Sequence, residues 1–124
     1  MGLTLAHLAC RLGSYGGEDS SNDVSRGMFA GEVGIPRLLK CFEKYGIKTS
    51  WFIPGHSLET FPDECAAVRD AGHEIGLHGY SHENPVEMSM AQQEEVLNKT
   101  FDMLTEFCGK PPVGSVAPWW ETSK

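Results

Sequence analysis

Strand-like and helix-like segments alternate along this chain, and that alternation constrains its fold more than any other feature. A run rich in β-branched and aromatic residues predicts a strand at residues 47–53, and short apolar segments predict three more, at residues 3–9, 73–77 and 113–117. Apolar residues at helical spacing predict three helices between them, at residues 33–45, 58–71 and 89–107. Strands that alternate with helices form parallel β-α-β units with right-handed crossovers. The sequence therefore predicts an α/β fold.

The strand ends indicate where a functional site is expected. In parallel α/β folds the site lies at the carboxyl ends of the strands. Four segments follow strands in this chain, at residues 12–31, 54–57, 78–82 and 118–120. The first of them is rich in Gly, Ser, Asp and Asn, and it predicts a long loop of the kind that usually carries function.

The size and charge of the chain exclude several classes of function. Its 124 residues fit one domain. The formal net charge is −7, which disfavours nucleic acids and anionic membranes as partners, because both are bound through basic surfaces. No apolar run approaches the roughly 20 residues of a membrane span. Because the chain shows no basic leader and no CxxC pair, we expect a cytoplasmic protein with reduced, mostly buried thiols.

A pair of histidines gives the sharpest chemical signal. His78 and His82 are four residues apart in a segment that follows a predicted strand, so their imidazoles can converge on one divalent metal ion such as zinc. The alternative is two polar histidines in a glycine-rich loop. His73 opens a strand and is expected to be a hydrogen-bonded structural residue. His56 follows another strand end, where a substrate contact is expected.

An aromatic segment follows the last predicted strand. Pro118, Trp119 and Trp120 can form an apolar wall for a ring or an acyl group, or they can pack in the core. The next residue, Glu121, is a candidate to orient a metal-binding imidazole.

Three sequence strings together resemble a known family. They are residues 51–56 (WFIPGH), residues 73–82 (HEIGLHGYSH) and residues 115–120 (SVAPWW). The chain resembles the polysaccharide deacetylase, or NodB-homology, superfamily (carbohydrate esterase family 4 and its relatives). Its nearest branch contains peptidoglycan-deacetylase-like proteins and cyclic-imide or ureide hydrolases. The resemblance implies a distorted, TIM-like (β/α)₇ barrel, of which residues 1–124 would form roughly the amino-terminal half as a partial deacetylase domain.

The resemblance also implies a chemistry. Members of the family hold a zinc-type ion with one Asp and two His, and they hydrolyse carbon–nitrogen amide bonds other than peptide bonds. The substrates implied are N-acetylated sugars, such as those of glycans, and cyclic imides or ureides. His78 and His82 match the two metal histidines. The residues expected to contact substrate, from the resemblance and from their positions, are His56, Tyr80, Pro118, Trp119 and Trp120.

The chain also departs from the family pattern. Where the family has an Asp-x-Asp strand that supplies the third ligand and the general base, this chain has Thr4 and Ala6. The late histidine that acts as general acid would lie beyond Lys124. We therefore expect zinc to bind weakly. The alternative to a hydrolase is a truncated, catalytically inactive homologue, which acts as a binding module or represents a gene fragment. Candidates to complete the metal site are His7, Glu18, Asp19 and Asp23.

An incomplete barrel would also leave a sheet edge open. An open parallel edge with uncovered apolar faces is prone to association. We therefore expect a homo-oligomer in which a second copy of the chain covers that edge.

Overall fold

The structure of the chain is a computed structural model that describes residues 2–4 and 20–121. Its strands are β1 (Gly2–Thr4), β2 (Ser50–Ile53) and β3 (Glu74–Leu77). Its α-helices are α1 (Ser21–Phe29), α2 (Ile35–Tyr45), α3 (Gly55–Thr60), α4 (Pro62–Asp70) and α5 (Met90–Cys108). A π-helical turn, Ala30–Gly34, joins α1 to α2, and short 3₁₀ turns occupy Pro85–Glu87 and Pro118–Trp120.

The strands form a parallel sheet in chain order, β1-β2-β3. Trp51 of β2 pairs with Leu3 of β1 on one side and with Ile75 of β3 on the other. Leu77 makes one further parallel bridge, to Ser115, so the chain returns beside β3 as a fourth strand position. The predicted strand at residues 113–117 is present only as this bridge. Sequential parallel order is the order of a barrel, whereas a doubly wound sheet reverses direction at a switch point.

The predicted loop at residues 12–31 is wrong for its second half, which is helical. The side chain of Ser20 accepts a hydrogen bond from the backbone N–H of Asp23 at 3.3 Å, and this cap starts α1. Ser, Asp and Asn favour both loops and helix N-caps, so composition alone did not separate the two. Residues 5–9 of the predicted first strand and residues 12–19 lie outside the described residues.

The predicted helix at residues 58–71 is two helices, and the predicted loop at 54–57 is mostly part of the first. Helix α3 begins at Gly55, directly after Pro54, and α4 begins at Pro62. Phe61 between them has φ −129° and ψ 59°. Proline disfavours a helical conformation in the residue before it and is well suited to the first helical position, so Pro62 both breaks the run and starts α4.

The core lies between the sheet and the helices. Its fully or nearly buried apolar residues lie on β2, β3 and helices α2 to α5, with one between α3 and α4: Ile35, Phe42, Trp51, Ile53, Leu58, Phe61, Cys65, Val68, Ile75, Leu77 and Leu104. Leu104 on α5 is buried as its helical spacing predicts. Phe101, also on α5, is 38% exposed, and the polar Thr100 is buried. The Thr100 hydroxyl satisfies its own hydrogen-bonding need by donating to the carbonyl of Val96 at 2.8 Å.

Among the described cysteines, Cys41, Cys65 and Cys108 are free thiols. Of these three, Cys65 is buried, Cys108 is half-buried and Cys41 is exposed, so the described thiols are less buried than expected. Cys10 lies outside the described residues. None of the helices in the described ranges has both the length and the apolar character needed to cross a membrane.

Candidate metal and substrate site

His78 directly follows strand β3 and lies at the carboxyl end of the sheet. The side chain is only 3% exposed, and its Nδ1 atom lies 2.7 Å from the carbonyl oxygen of Val116. Because a carbonyl oxygen only accepts, Nδ1 carries the hydrogen and Nε2 keeps its lone pair. Nε2 is buried and has no hydrogen-bond partner among the described residues. Burial lowers the pKa of His78, and the hydrogen bond to Val116 opposes this shift. The lowered pKa favours the neutral form that binds metals.

His82 returns to the same place four residues later. The centroids of the two imidazole rings are 4.9 Å apart, with an angle of 58° between the ring planes. His82 has φ 62°, a left-handed conformation that is uncommon for residues other than glycine. Residues 79–82 therefore form a tight loop, and this loop rather than a helical turn brings the two rings together. Strained backbone of this kind is often found at functional sites.

The loop is held from the side of α3. The backbone N–H of Gly55 donates to the carbonyl of Gly79 at 3.1 Å, and the N–H of His56 donates to the carbonyl of Tyr80 at 2.9 Å. The first N–H groups of a helix have no partner within the helix, so these bonds satisfy both the helix and the loop.

The loop is also held from within, by Glu83. Its carboxylate accepts hydrogen bonds from the backbone N–H of Tyr80 at 3.0 Å and of Ser81 at 2.8 Å, and from the Ser81 hydroxyl at 3.0 Å. Sequence reasoning missed Glu83. The signal was an acidic residue placed directly after a short loop whose N–H groups need acceptors.

The aromatic segment contacts the second histidine. Trp119 Nε1 donates to the carbonyl oxygen of His82 at 3.1 Å, and the two ring centroids are 5.6 Å apart. Pro118 is buried, Trp119 is partly exposed and Trp120 is 85% exposed. Trp119 and Trp120 both have left-handed backbone, with φ 62° and 59°. The structure thus places Trp119 beside His82, while Trp120 lies largely in solvent. Glu121, the candidate to orient an imidazole, is exposed.

His56 of α3 and Tyr80 of the 79–82 loop come together in a second cluster, which α5 also contacts. The two rings meet edge to face with centroids 6.3 Å apart. The Tyr80 hydroxyl donates to Glu59 Oε2 at 2.7 Å, and the Lys99 ammonium lies 3.3 Å from the centre of the Tyr80 ring. Sequence reasoning did not single out Glu59 or Lys99, because their contacts depend on how α3 and α5 pack.

His73 is a structural residue, as expected. It is nearly buried, and its Nδ1 accepts a hydrogen bond from the backbone N–H of Thr49 at 3.2 Å. Its ring packs against the rings of Phe42 and Trp51.

The histidine pair fits a divalent metal ion in two respects: the buried Nε2 of His78 lacks a hydrogen-bond partner in the described ranges, and a second imidazole is adjacent. No group of three or more His, Cys, Asp or Glu among residues 2–4 and 20–121 could hold an ion. Asp23 is therefore not brought to the pair. His7, Glu18 and Asp19, like Ala6, lie outside the described residues, and Thr4 pairs with Phe52 in the sheet.

The comparison with protein families decides the relationship. The family model for polysaccharide deacetylases matches residues 26–122, which include the loop that carries both histidines and the aromatic segment. The chain belongs to the polysaccharide deacetylase family. The resemblance to the NodB-homology superfamily that the three sequence strings carry is thereby confirmed.

Individual relatives and solved structures are similar to this chain. A peptidoglycan deacetylase from Helicobacter pylori is 57% identical over 122 residues, which are 98% of this chain and 42% of that protein. A solved structure from Mycobacterium smegmatis, assigned to the polysaccharide deacetylases, superposes with a TM-score of 0.87 at 27% identity, over 99% of this chain and 43% of its own. The Puue allantoinase structure gives a TM-score of 0.74 at 30% identity, over 77% of this chain and 32% of its own. The chain thus spans less than half the length of these relatives.

Proposed function

We propose that this chain contributes the histidine pair of a metal-dependent hydrolase that removes acetyl groups from the N-acetylated sugars of peptidoglycan. One observation carries the proposal: the unpartnered Nε2 of His78 lies beside the ring of His82 at the carboxyl end of β3. The glycan substrate is favoured over a cyclic imide or ureide because the peptidoglycan deacetylase relative matches nearly the whole chain at 57% identity, whereas the allantoinase matches less of it at 30%.

His78 and His82 would hold the ion, which is zinc in this proposal. A bound zinc ion polarises an amide carbonyl and lowers the pKa of its water ligand. Neighbouring residues of the chain orient the two histidines for metal binding. The Val116 carbonyl fixes the tautomer and orientation of His78, as carbonyl and carboxylate partners do for metal-binding histidines generally. Burial of His78, which is 3% exposed, shields its ring from bulk water.

The aromatic segment would contact the substrate. Trp119 lies beside His82 and is partly exposed, so its ring can pack against the sugar ring or the acetyl methyl group near the ion. Pro118 lies beneath the loop, close to Gly79, and supports its position. Trp120, His56 and Tyr80 would contact parts of the glycan farther from the ion. The general base and general acid are not assigned to any residue of this chain.

Acetate release tests the proposed reaction. The wild-type chain is incubated with N-acetylated peptidoglycan at saturating zinc, beside the His78→Ala and His82→Ala variants and a His73→Gln control. We expect acetate release that requires zinc and is lost in both histidine variants at the site but not in the control. Zinc-loaded wild-type chain that releases no more acetate than His78→Ala would overturn the reaction and favour the inactive homologue. Allantoin hydrolysis in place of acetate release would overturn the substrate.

The same proposal includes the barrel architecture and the oligomeric state of the chain. Its parallel strands in sequential order would be part of a TIM-like barrel. Met90 and Leu97 of α5 are exposed apolar residues that line a groove of about 500 Å³, and Val113, just before the fourth strand position, is also exposed. A second copy would cover them. Light scattering should then show a dimer that Leu97→Glu converts to a monomer, and a monomeric wild type would contradict it.

We also propose a cytoplasmic location, supported by the free thiols of Cys41, Cys65 and Cys108. Fractionation of cells that produce the chain tests this, and recovery outside the cytoplasm would contradict it.

A further inference from the structure

We propose that Glu83 is a positioning residue that holds residues 79–82 in the one loop conformation in which His78 and His82 face the same ion. The inference rests on the metal site of the proposed function. Glu83 would act through the loop and would not itself bind the ion.

The contacts of the carboxylate support a role within the loop. Oε1 accepts from the N–H and the hydroxyl of Ser81, and Oε2 accepts from the N–H of Tyr80. Both oxygens are thus occupied by loop donors. Consistently, Glu83 does not join the two histidines in any metal-capable group of three within the described parts of the chain. Hydrogen bonds to an ionised carboxylate are short and about twice as strong as those between neutral groups.

The loop needs such an acceptor because of its backbone shape. It begins at Gly79 with φ 67° and ends at His82 with φ 62°, so two of its four residues are left-handed. Between them, the N–H groups of Tyr80 and Ser81 point toward the Glu83 carboxylate and not toward a strand or helix partner. Without the carboxylate these donors lose their acceptor, and other loop conformations compete with the one that brings the rings to 4.9 Å.

Gly79 provides an independent observation. A Cβ atom at this position would lie 2.7 Å from Glu83 Oε2 and 3.1 Å from Pro118 Cγ. The absence of a side chain at Gly79 therefore leaves the space that the Glu83 carboxylate occupies. Left-handed φ and steric fit both require glycine here.

Metal binding tests the proposal in the full chain. Zinc affinity is measured by competition with a chromophoric chelator for wild type, Glu83→Ala, Glu83→Gln and a Glu87→Gln control on the adjacent exposed turn. We expect Glu83→Ala to weaken zinc binding about tenfold or more, the usual effect of losing a residue that orients metal ligands. Glu83→Gln should be intermediate, because its amide oxygen can still accept from Ser81 while its NH₂ group meets the Tyr80 N–H. The control should bind as wild type does.

A spectroscopic readout separates positioning from a general loss of structure. The ligand-field absorption of bound Co²⁺ reports ligand geometry, and we expect Glu83→Ala to change it while Glu87→Gln does not. Wild-type affinity together with a wild-type Co²⁺ spectrum in Glu83→Ala would overturn the proposal. A complete loss of Co²⁺ binding in Glu83→Gln as well as in Glu83→Ala would also overturn it, because that is the behaviour of a ligand.

Hydrogen exchange in the metal-free chain keeps this test distinct from that of the proposed function. We expect Glu83→Ala to accelerate exchange of the Tyr80 and Ser81 amides, while the Leu77 amide, bonded to the Gly114 carbonyl at 2.9 Å, stays protected. If wild type binds no zinc, the proposed function fails, but accelerated exchange still supports the loop role of Glu83. Unchanged exchange at both amides would overturn the role whatever the result with zinc.

Discussion

The indole Nε1 of Trp119 donates a hydrogen bond to the backbone carbonyl oxygen of His82 across 3.1 Å. Both residues have φ 62°, so the bond joins two left-handed positions that lie 37 residues apart in sequence. It ties the segment after the fourth strand position to the loop after β3. The conformation of His82 is therefore set partly by a residue from a different β-α unit.

This bond predicts an effect of Trp119 on metal binding. Trp119→Phe keeps an aromatic ring but removes the donor, and a hydrogen bond of this kind contributes about 1 kcal/mol. We expect zinc affinity to fall about fivefold, the equivalent of that free energy, as measured by chelator competition. The matched control is Trp120→Phe, because Trp120 is 85% exposed. Equal effects of the two substitutions would show that the Trp119 bond does not position His82.

The histidine pair predicts a weak, removable zinc ion. Two imidazoles form an incomplete site, since catalytic zinc usually has three protein ligands. After dialysis against zinc, we expect metal analysis to find an ion that a chelator removes readily. His82→Ala should abolish binding of the ion. His56→Ala should leave it unchanged, because the His56 ring packs against Tyr80 and is not one of the paired imidazoles. Stoichiometric zinc that resists the chelator would contradict this and would mean that a residue outside the described ranges completes the site.

The sequence predicted the proximity of the two histidines better than it predicted the elements around them. The spacing of His78 and His82 at a strand end indicated a shared ion; the structure brings the two rings together, and the ion itself stays a prediction. The His82–Trp119 bond could not be predicted, because it joins two residues with left-handed backbone that are not glycine, for which sequence gives little signal. Glu83 had only the weaker signal of an acidic residue directly after a short loop. The aromatic pair was predicted to form a wall or to pack in the core, whereas Trp119 contacts His82 and Trp120 is largely exposed.

The errors in the fold have local causes. Ser and Asp are common in loops, yet here the Ser20 side chain caps α1 by accepting from the Asp23 N–H. The helix breaks at Phe61, although the apolar pattern continues through it, because Pro62 follows. On α5, Thr100 is buried and Phe101 is exposed, which reverses the order that hydrophobicity predicts. Gly55 and Thr100 approach each other closely, since a Cβ atom on Gly55 would lie 3.1 Å from Thr100 Cγ2. The space at position 100 therefore fits a threonine and is too small for an aromatic ring.

His73 predicts acid sensitivity of folding. Burial lowers the pKa of His73 below its usual value of 6.5, and its Nδ1 accepts from the Thr49 N–H only when unprotonated. The unfolded chain therefore takes up the proton first as the pH falls. The contribution of His73 to the free energy of unfolding should be constant above pH 6.5 and decrease as the pH falls below it, as measured by urea denaturation.

The variant His73→Gln isolates this contribution. It removes the titrating group, so we expect a shallower loss of stability below pH 6.5 than in wild type. Some acid sensitivity should remain, because burial also lowers the pKa of His78. An identical pH dependence in the variant and wild type would show that His73 is not responsible.

Cys65 predicts a thiol that is inert in the folded chain. It is fully buried, and burial, with a smaller effect of Glu64, raises its pKa from 9.0 to about 12. The thiolate is the reactive form, so alkylation near neutral pH should modify exposed Cys41 quickly and Cys65 only after unfolding. The raised pKa also means that stability is lost as the pH rises from 9.0 towards 12. Peptide mapping by mass spectrometry identifies the modified residues, and alkylation of Cys65 at the rate of Cys41 in the folded chain would contradict the buried position.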